Sequence, residues 1–271
     1  MTEALGDFDP KATYDAASRD YEDASRDFWQ YLSTRTVERL ALRPGERVLD
    51  VPVGTGPSAI AAASAVGTTG RVVGVDYAEQ MVAIARDKVR AAGCANVTLE
   101  VGDMTALARP DQPYDAIVCV LGLFFVDDMP AVARSFYDLL SPAGGRMGVA
   151  VFGERFFDPM RDVFVEAVHD VVPGFDVIQP WCRLDREDVL RQVFDDAGIP
   201  DVGIDTDEDR LPLPSPDDWW RIVMGSGLRR TVTAIGEDAA AEVRARCDAY
   251  VTANDVREVV SRTRYAIATR A

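Results

Sequence analysis

The stretch that most constrains this chain is Glu46–Gly56, which reads Glu-Arg-Val-Leu-Asp-Val-Pro-Val-Gly-Thr-Gly. Its segment Val48–Val51 is rich in the aliphatic residues that form a parallel strand covered on both faces. Gly54 and Gly56 follow, and residues without a Cβ let the backbone turn sharply and approach a ligand closely. Pro57 suits the first turn of a helix. The stretch therefore predicts a strand, a glycine turn and a helix, with a ligand held at the edge of the sheet.

Two kinds of cofactor fit such a turn, and the first is a dinucleotide. The spacing Gly54-x-Gly56-x-x-Ala59 matches the fingerprint G-x-G-x-x-G/A, in which a pyrophosphate sits on the helix N-terminus. A second predicted strand, Arg71–Asp76, ends in an acidic residue about twenty positions beyond the turn, which is the spacing that places a carboxylate beside a bound ribose. The alternative role for Asp76 is to cap the helix that follows.

The same stretch resembles more closely the first motif of class I S-adenosylmethionine-dependent methyltransferases. The resemblance rests on Val48–Val51 followed by Gly54–Gly56. In that family the acidic residue of the strand, here Asp50, orients the turn, and the glycine backbone receives the amino-acid end of the cofactor. The chain departs from the family at Pro52 and Val53, where Gly and Cys are frequent, and Pro52 removes one backbone N–H.

A third predicted strand, Asn96–Val101, is followed by Gly-Asp-Met, and this signal separates the two cofactors. In methyltransferases of this kind an acidic residue here meets the adenine amino group, whereas dinucleotide enzymes have no matching requirement. The resemblance thus implies that Asp103 accepts a hydrogen bond from adenine, with Tyr77 and Met104 against the ring. A cap or turn is the alternative role for Asp103.

The fourth predicted strand, Tyr114–Val120, ends at the same edge, because ligands of open α/β sheets sit outside the carboxyl ends of the strands. Val120 and Leu121 are therefore expected to border both cofactor and substrate. Methyltransferases that act on nucleic-acid amino groups carry an Asn/Asp-Pro-Pro-aromatic motif at this point. Its absence here counts against a nucleobase as the substrate.

A long helix is predicted over 14–40 from the spacing of its apolar residues. In the resembling family such helices fold over the cofactor, which implies a contact from Tyr14 or Tyr21. Packing of the aromatic stripe on the core is the alternative. The candidate cofactor-binding residues are thus Tyr21, Asp50, Gly54, Thr55, Gly56, Asp76, Tyr77, Met81, Asp103, Met104, Val120 and Leu121.

Composition narrows the classes of ligand and setting. The 271 residues carry 29 Lys and Arg against 45 Asp and Glu, a net charge of −16, and so acidic a surface repels nucleic-acid phosphates. The longest apolar run, Ala116–Val126, is too short for a membrane span, and residues 1–9 contain no secretory signal. Four scattered cysteines favour a reducing, cytoplasmic setting. The lone histidine, His169, argues against a histidine-based metal centre, and no metal is expected.

The C-terminal half is predicted to complete the sheet. A strand near 202–205 is expected to pair antiparallel with a final strand in 259–268, as in the family's terminal hairpin. A helix is predicted from Asp185, as its N-cap, to Gly198. Ser215 is predicted to cap another helix.

We interpret residues 215–254 as an insertion that covers the active site. Aromatic side chains supply large contact areas to flat ligands, so an apolar substrate pocket is expected under this lid. Packing of the lid on the body is the alternative role for each of these side chains. The pocket candidates are Phe157, Trp181, Trp219, Trp220 and Met224.

Residues 21–152 as a whole resemble the ubiquinone/menaquinone-biosynthesis-like group of small-molecule methyltransferases. The expected fold is α/β, with a Rossmann-like seven-stranded sheet, mostly parallel, a terminal antiparallel hairpin and helical lid insertions. The expected division is an N-terminal helical cap (1–45), a cofactor-binding core (46–152) and a C-terminal part that completes the sheet and carries the lid (153–271).

The expected activity is in-line transfer of methyl from S-adenosyl-L-methionine to O, N or C of a hydrophobic or aromatic small molecule, in quinone-type or secondary metabolism. Alignment alone can supply about 7–11 kcal/mol of the barrier, so no catalytic side chain is obligatory, and His169 is only a weak candidate for a base. A second hypothesis is an NAD(P)-dependent dehydrogenase, opposed by the Asp103 motif and by the lack of a Tyr-x-x-x-Lys. A third is a protein that binds the cofactor without transferring methyl. A homodimer is a possible assembly.

Overall fold

The computed structural model describes residues 9–270, except the side chains of residues 19 and 22–27. The stretch expected to lack a secretory signal falls almost entirely outside this range. The strands are β1 (Arg47–Asp50), β2 (Arg71–Asp76), β3 (Val97–Val101), β4 (Ala116–Val120), β5 (Gly145–Phe152), β6 (Gly203–Pro212) and β7 (Glu258–Arg270). The helices are α1 (Pro10–Leu40), α2 (Pro57–Val66), α3 (Glu79–Ala91), α4 (Met129–Leu139), α5 (Met160–Val171), α6 (Glu187–Asp196), α7 (Pro216–Met224), α8 (Arg229–Ile235) and α9 (Glu237–Ala253). Short 3-10 helices cover Met104–Ala106, Leu123–Phe125 and Pro180–Leu184.

The seven strands form one sheet in the order β3-β2-β1-β4-β5-β7-β6. Strands β1 to β5 pair in parallel, and β7 runs antiparallel to both β5 and β6. The expected fold class and the terminal hairpin are thereby confirmed. The chain moves outward from β1 to β3 and then returns to place β4 on the other side of β1. A sheet that reverses its order in this way binds ligands outside the carboxyl ends of the two strands at the reversal.

The central strands are buried on both faces, as their apolar sequence predicts. Successive residues of β4 alternate between two hydrophobic clusters, because side chains of a strand point to opposite faces. Ile117 and Cys119 belong to the larger cluster, which includes α4 and the lid, whereas Ala116 and Val118 belong to the smaller cluster with α2. Helices on both faces therefore hold the carboxyl ends of β1 and β4 in place.

Two C-terminal elements differ from the sequence prediction. Strand β6 extends to Pro212, well beyond 202–205, because it pairs with β7 along its whole length. Helix α6 begins at Glu187 after Arg186, which makes no side-chain cap bond, so the predicted N-cap Asp185 is wrong. The preceding residues instead form the 3-10 helix Pro180–Leu184.

Helices α7 to α9 lie between β6 and β7, where the insertion was predicted. The start of α7 is as predicted, since Ser215 and Asp218 form a reciprocal capping box. Within residues 9–270, no helix is long and apolar enough to cross a bilayer.

Candidate active site

A cavity of about 500 Å³ lies at the carboxyl ends of the central strands, between the sheet, helix α1 and the loop before α8. Most of the candidate cofactor-binding residues line it. These are Tyr21, Gly54, Thr55, Asp76, Tyr77, Met81, Asp103, Met104, Val120 and Leu121. Asp50 and Gly56 lie behind the wall. The ends of β1, β2, β3 and β4 thus meet around one cavity.

The two glycines of the turn have different roles. Gly54 adopts a φ of +52°, and a Cβ placed there would meet no heavy atom within 4 Å, so its backbone faces open space in the cavity. Gly56 adopts a φ of +90° and caps α2, and its Cβ would lie 3.2 Å from the Cβ of Ala85. Gly54 therefore lets a ligand approach the backbone, whereas Gly56 lets α2 and α3 pack closely.

Asp76 braces the glycine turn. Its Oδ2 accepts a hydrogen bond of 2.8 Å from the Gly54 N–H, and its Oδ1 accepts one of 2.9 Å from the Ala78 N–H. The side chain is 8 % exposed, and burial raises the pKa of Asp76 against the opposing influence of these backbone donors. Each carboxylate oxygen has a second lone pair, so the same group retains capacity to accept from two vicinal hydroxyls.

Asp50 is buried behind the cavity wall and supports the start of α2. Its Oδ2 accepts a hydrogen bond of 2.7 Å from the hydroxyl of Ser58, a residue that lines the cavity, while its Oδ1 is buried without a partner. Burial raises the pKa of Asp50 to about 8, and the negative charge of Asp76 adds to the effect. At neutral pH this carboxyl is therefore largely protonated, and it supports the start of α2 without facing the cavity.

Asp103 occupies the exposed rim at the end of β3. Its Oδ1 accepts hydrogen bonds of 2.8 Å from both the N–H and the hydroxyl of Thr105, so it caps the short 3-10 helix that follows. Tyr77, 45 % exposed, and Met104 lie at the same rim. The capping role given as an alternative is present, and Asp103 also lines the cavity, with its Oδ2 making no capping bond.

The loop after β1 fits against the loop after β4. A Cβ on Gly122 would lie 2.0 Å from Cδ of Pro52, so Gly122 is required by the proline that departs from the family pattern.

Two residues of the cavity wall have a left-handed backbone. Leu121, the residue before Gly122, has a φ of +54°, and Phe157 has a φ of +57°. Both residues line the cavity, and a left-handed backbone is costly for a side chain of this size. Strained positions of this kind concentrate at functional sites.

Helix α1 closes the cofactor end of the cavity. Asp15 accepts a hydrogen bond of 2.9 Å from the N–H of Gln80 in the first turn of α3, which fixes α1 beside Asp76. The ring of Tyr14 packs edge-on against Phe125 at 5.5 Å, and burial together with the charge of Asp76 raises the pKa of Tyr14. Tyr14 and Tyr21 both line the cavity.

The opposite end of the cavity is a chamber of aromatic rings, hereafter the aromatic chamber, formed by Trp29, Phe152, Phe156, Phe157 and Trp181. Phe152 stacks on Phe156 at 4.8 Å, and Trp181 meets Phe156 edge-on at 6.0 Å. Trp29 lies 6.2 Å from Phe152. The lid contributes Ser226–Leu228 to the same wall.

Three of the predicted pocket residues lie elsewhere. Trp219 is fully buried and packs edge-on against the back of Phe157 at 6.2 Å, because the inner face of α7 joins the core. Trp220 and Met224, on the other side of α7, line a separate crevice, where the guanidinium of Arg244 lies over the Trp220 ring at 5.7 Å. The pocket assignment of these three residues is corrected accordingly, while Phe157 and Trp181 do line the cavity.

Sequence reasoning missed Trp29, Phe152 and Phe156 as cavity residues. Phe152 ends β5 and Phe156 follows it closely, so the rule that ligands sit at strand carboxyl ends could have found both. His169 is exposed on α5 and does not line the cavity. In the described part of the chain, no group of three His, Cys, Asp or Glu is placed to hold a metal ion.

The charged groups around the cavity are mostly acidic. The described lining includes Asp76, Asp103, Asp127 and Asp128 against a single lysine, Lys11. A cleft of predominantly negative charge favours a cationic ligand. Asp76 can accept from ribose hydroxyls, the backbone at Gly54 is open to a ligand, and the lining is mostly acidic. These three features fit the sulfonium cofactor S-adenosylmethionine.

A parallel sheet with a terminal antiparallel hairpin, and a cavity at its point of reversal, define a class I methyltransferase fold. A family model described as "Methyltransferase domain" matches residues 48–144. The demethylmenaquinone methyltransferase of Geobacillus kaustophilus is 30% identical over 179 residues, which are 62% of this chain and 76% of that protein. The ubiquinone/menaquinone biosynthesis C-methyltransferase UbiE of Shewanella halifaxensis is 31% identical over 180 residues, covering 62% and 71% of the two chains.

The chain belongs to the UbiE-type family of class I S-adenosylmethionine-dependent methyltransferases. It is therefore a methyltransferase with S-adenosylmethionine as its cofactor, which decides against the dehydrogenase hypothesis. The solved structure of the [4+2]-cyclase SpnF matches with a TM-score of 0.58 and 21% identity, covering 94% of each chain. At that identity the likeness concerns the fold.

Proposed function

We propose that this methyltransferase acts on a flat, hydrophobic small molecule of the quinol type, bound in the aromatic chamber beside S-adenosylmethionine. The observation that carries the proposal is the continuity of the cavity, which runs from the strand ends at Gly54 and Asp76 to the rings around Phe156. The names of the two relatives, both methyltransferases of quinone biosynthesis, support the substrate class.

The cofactor supplies an electrophilic methyl group on a positively charged sulfonium. We assign Asp76 to the ribose hydroxyls, the Gly54 backbone to the amino-acid end, and Asp103 with Tyr77 and Met104 to the adenine. Asp50 holds the turn through Ser58. The negative rim adds electrostatic attraction for the cationic cofactor.

The aromatic chamber aligns the acceptor and keeps water out. Flat rings packed against Phe156 and Trp181 gain large contact area, and the lid segment Ser226–Leu228 forms part of the same wall. Alignment of the reacting groups can supply about 7–11 kcal/mol of the barrier. His169 is too exposed to serve from inside the chamber, so the proposal includes no general base from the histidine.

The proposal is tested by incubating the protein with S-adenosylmethionine and reduced naphthoquinones, substituted catechols and, as polar controls, phosphoethanolamine and free adenosine. We expect methylated product, detected by mass spectrometry, from the flat oxygenated rings only. Methylation of the polar compounds alone, with cofactor binding intact, would reject the substrate class.

The same proposal extends to the division of the chain, its cellular setting and its assembly. We assign cofactor binding to residues 46–152. Residues 1–45 are assigned to cover the cofactor, and the insertion within 153–271 is assigned to cover the substrate. We place the protein in the cytoplasm, with a small molecule as substrate and no role for nucleic acid. A homodimer stays a prediction that sedimentation equilibrium would decide.

A further inference from the structure

Several hydroxyl groups that line the cavity already donate a hydrogen bond within the protein. The hydroxyls of Ser135 and Ser226 donate to backbone carbonyls, and that of Thr105 donates to Asp103. Two donors in the wall differ. The indole Nε1–H groups of Trp29 and Trp181 are buried and have no hydrogen-bond partner.

Both tryptophans are nine-tenths or more buried, with 6 % of Trp29 and 3 % of Trp181 exposed, and both line the cavity. Leaving a buried donor unpaired costs about 1–3 kcal/mol, so native structures rarely do so without a reason. A ligand in the chamber that accepts from these groups would recover that cost.

The packing of Trp181 fixes the orientation of its indole ring. The benzene edge of its ring faces the lid, because a Cβ on Gly227 would lie 2.3 Å from Cζ3 and 3.0 Å from Cη2. Nε1 is on the opposite, pyrrole edge of the indole. Trp29 is stacked on Tyr21 at 4.9 Å with nearly parallel planes, and its ring also packs against Phe28 and Phe152.

We propose that the indole N–H groups of Trp29 and Trp181 bind acceptor oxygens on the ring of the substrate. An indole is a donor only, so it pairs with carbonyl, phenolic or ether oxygens and offers nothing to an ammonium group. The ligand class is therefore a planar ring system with oxygen substituents, held by its oxygens and not by charge. This inference rests on the proposed function and adds which groups recognise the substrate.

The test uses the full chain saturated with S-adenosylhomocysteine and two probes of similar shape. One is dimethylnaphthoquinone with both free quinone carbons methylated, so that it neither reacts with thiols nor accepts methyl. The other is dimethylnaphthalene, which has the same rings without acceptor oxygens. Binding is measured by calorimetry for wild type, Trp29→Phe, Trp181→Phe and, as the matched control, Trp219→Phe, whose ring is buried outside the cavity.

We expect Trp29→Phe and Trp181→Phe each to weaken the quinone by about tenfold, the value of one neutral hydrogen bond, and to leave dimethylnaphthalene and S-adenosylhomocysteine within about twofold. Trp219→Phe should change none of the three. Equal losses for both probes, no loss for the quinone, or an equal loss in Trp219→Phe would overturn the inference while leaving the aromatic substrate in place. If wild type binds S-adenosylhomocysteine but neither probe, the proposed substrate class falls, and this inference falls with it.

Discussion

The two ends of the cavity are built in opposite ways. At the strand ends, the two carboxylates that line the cavity already have partners within the protein, since Asp76 accepts from Gly54 and Ala78 and Asp103 accepts from Thr105. In the aromatic chamber, the polar groups of Trp29 and Trp181 have none. The carboxylates of the first end are therefore held by the protein itself, whereas we infer that the indole groups of the second are paired by the substrate.

The difference also concerns distance along the chain. At the cofactor end, Gly54, Asp76 and Asp103 each lie at the end of a strand or in the turn after it, so each signal is local in sequence. The chamber joins residues from α1, the end of β5, a 3-10 helix and the lid. A common cofactor is thus served by short motifs, while the choice of acceptor is left to an assembly that can vary without disturbing them.

The largest expected effect is at the cofactor end. Replacing Asp76 by Ala removes the ribose acceptor and the brace of Gly54, so affinity for S-adenosylhomocysteine should fall by on the order of 1.5–3 kcal/mol. Calorimetry checks this, with Asp87→Ala on the exposed face of α3 as the control. Unchanged affinity in Asp76→Ala would contradict the assigned pose.

The second effect should be confined to the chamber. In Gly227→Ala the new methyl group would lie 2.3 Å from Cζ3 of Trp181, and overpacking of this kind costs about 1–3 kcal/mol. We expect KM for an aromatic acceptor to rise while affinity for S-adenosylhomocysteine stays the same. Gly203→Ala, where the nearest atom is 4.0 Å away, is the matched control. A parallel loss of cofactor affinity would show that the two ends are not independent.

The third effect is a pH dependence that belongs to the cofactor end. Because the pKa of Asp50 is about 8 in the folded protein and near its ordinary value when unfolded, the folded state keeps a proton that the unfolded state loses. The contribution of Asp50 to the free energy of unfolding therefore falls as pH rises from about 4 to about 8. Near neutrality the fall is about 1 kcal/mol per pH unit. Asp50→Asn should remove this slope, measured by urea unfolding between pH 6 and 7. Identical slopes in both proteins would exclude a protonated Asp50.

The smallest expected effect is none at all. His169 is exposed on α5, away from the residues that line both ends, so His169→Gln should leave kcat and KM within error of wild type. Initial rates with a methylated aromatic product decide this. A large loss of kcat, with an unchanged melting temperature, would mean that the chamber extends to α5 during turnover.

The cofactor end was predictable because its signals are local. A glycine with an open left-handed backbone, and acidic residues directly after two strands, can be recognised within a few residues of each other. The same local reading missed that Gly56 packs against Ala85, since that contact depends on how α2 and α3 approach.

The chamber and the edge of the sheet were less predictable for physical reasons. Trp219 and Trp220 are neighbours on a helix and so face directions about 100° apart, and only packing decides which side each one covers. Strand β6 alternates exposed charged residues with partly buried ones along an edge, a pattern without the apolar run that marks a buried strand. Its full length is fixed by pairing with β7.

The fit of Pro52 against Gly122 links two loops whose sequences would otherwise vary separately. Any side chain introduced at 122 would collide with the proline ring, so the order of evolutionary steps matters: a smaller residue at 52 must come first. Among descendants of this chain, the two positions should therefore show epistasis, with a side chain at 122 tolerated only after position 52 has changed.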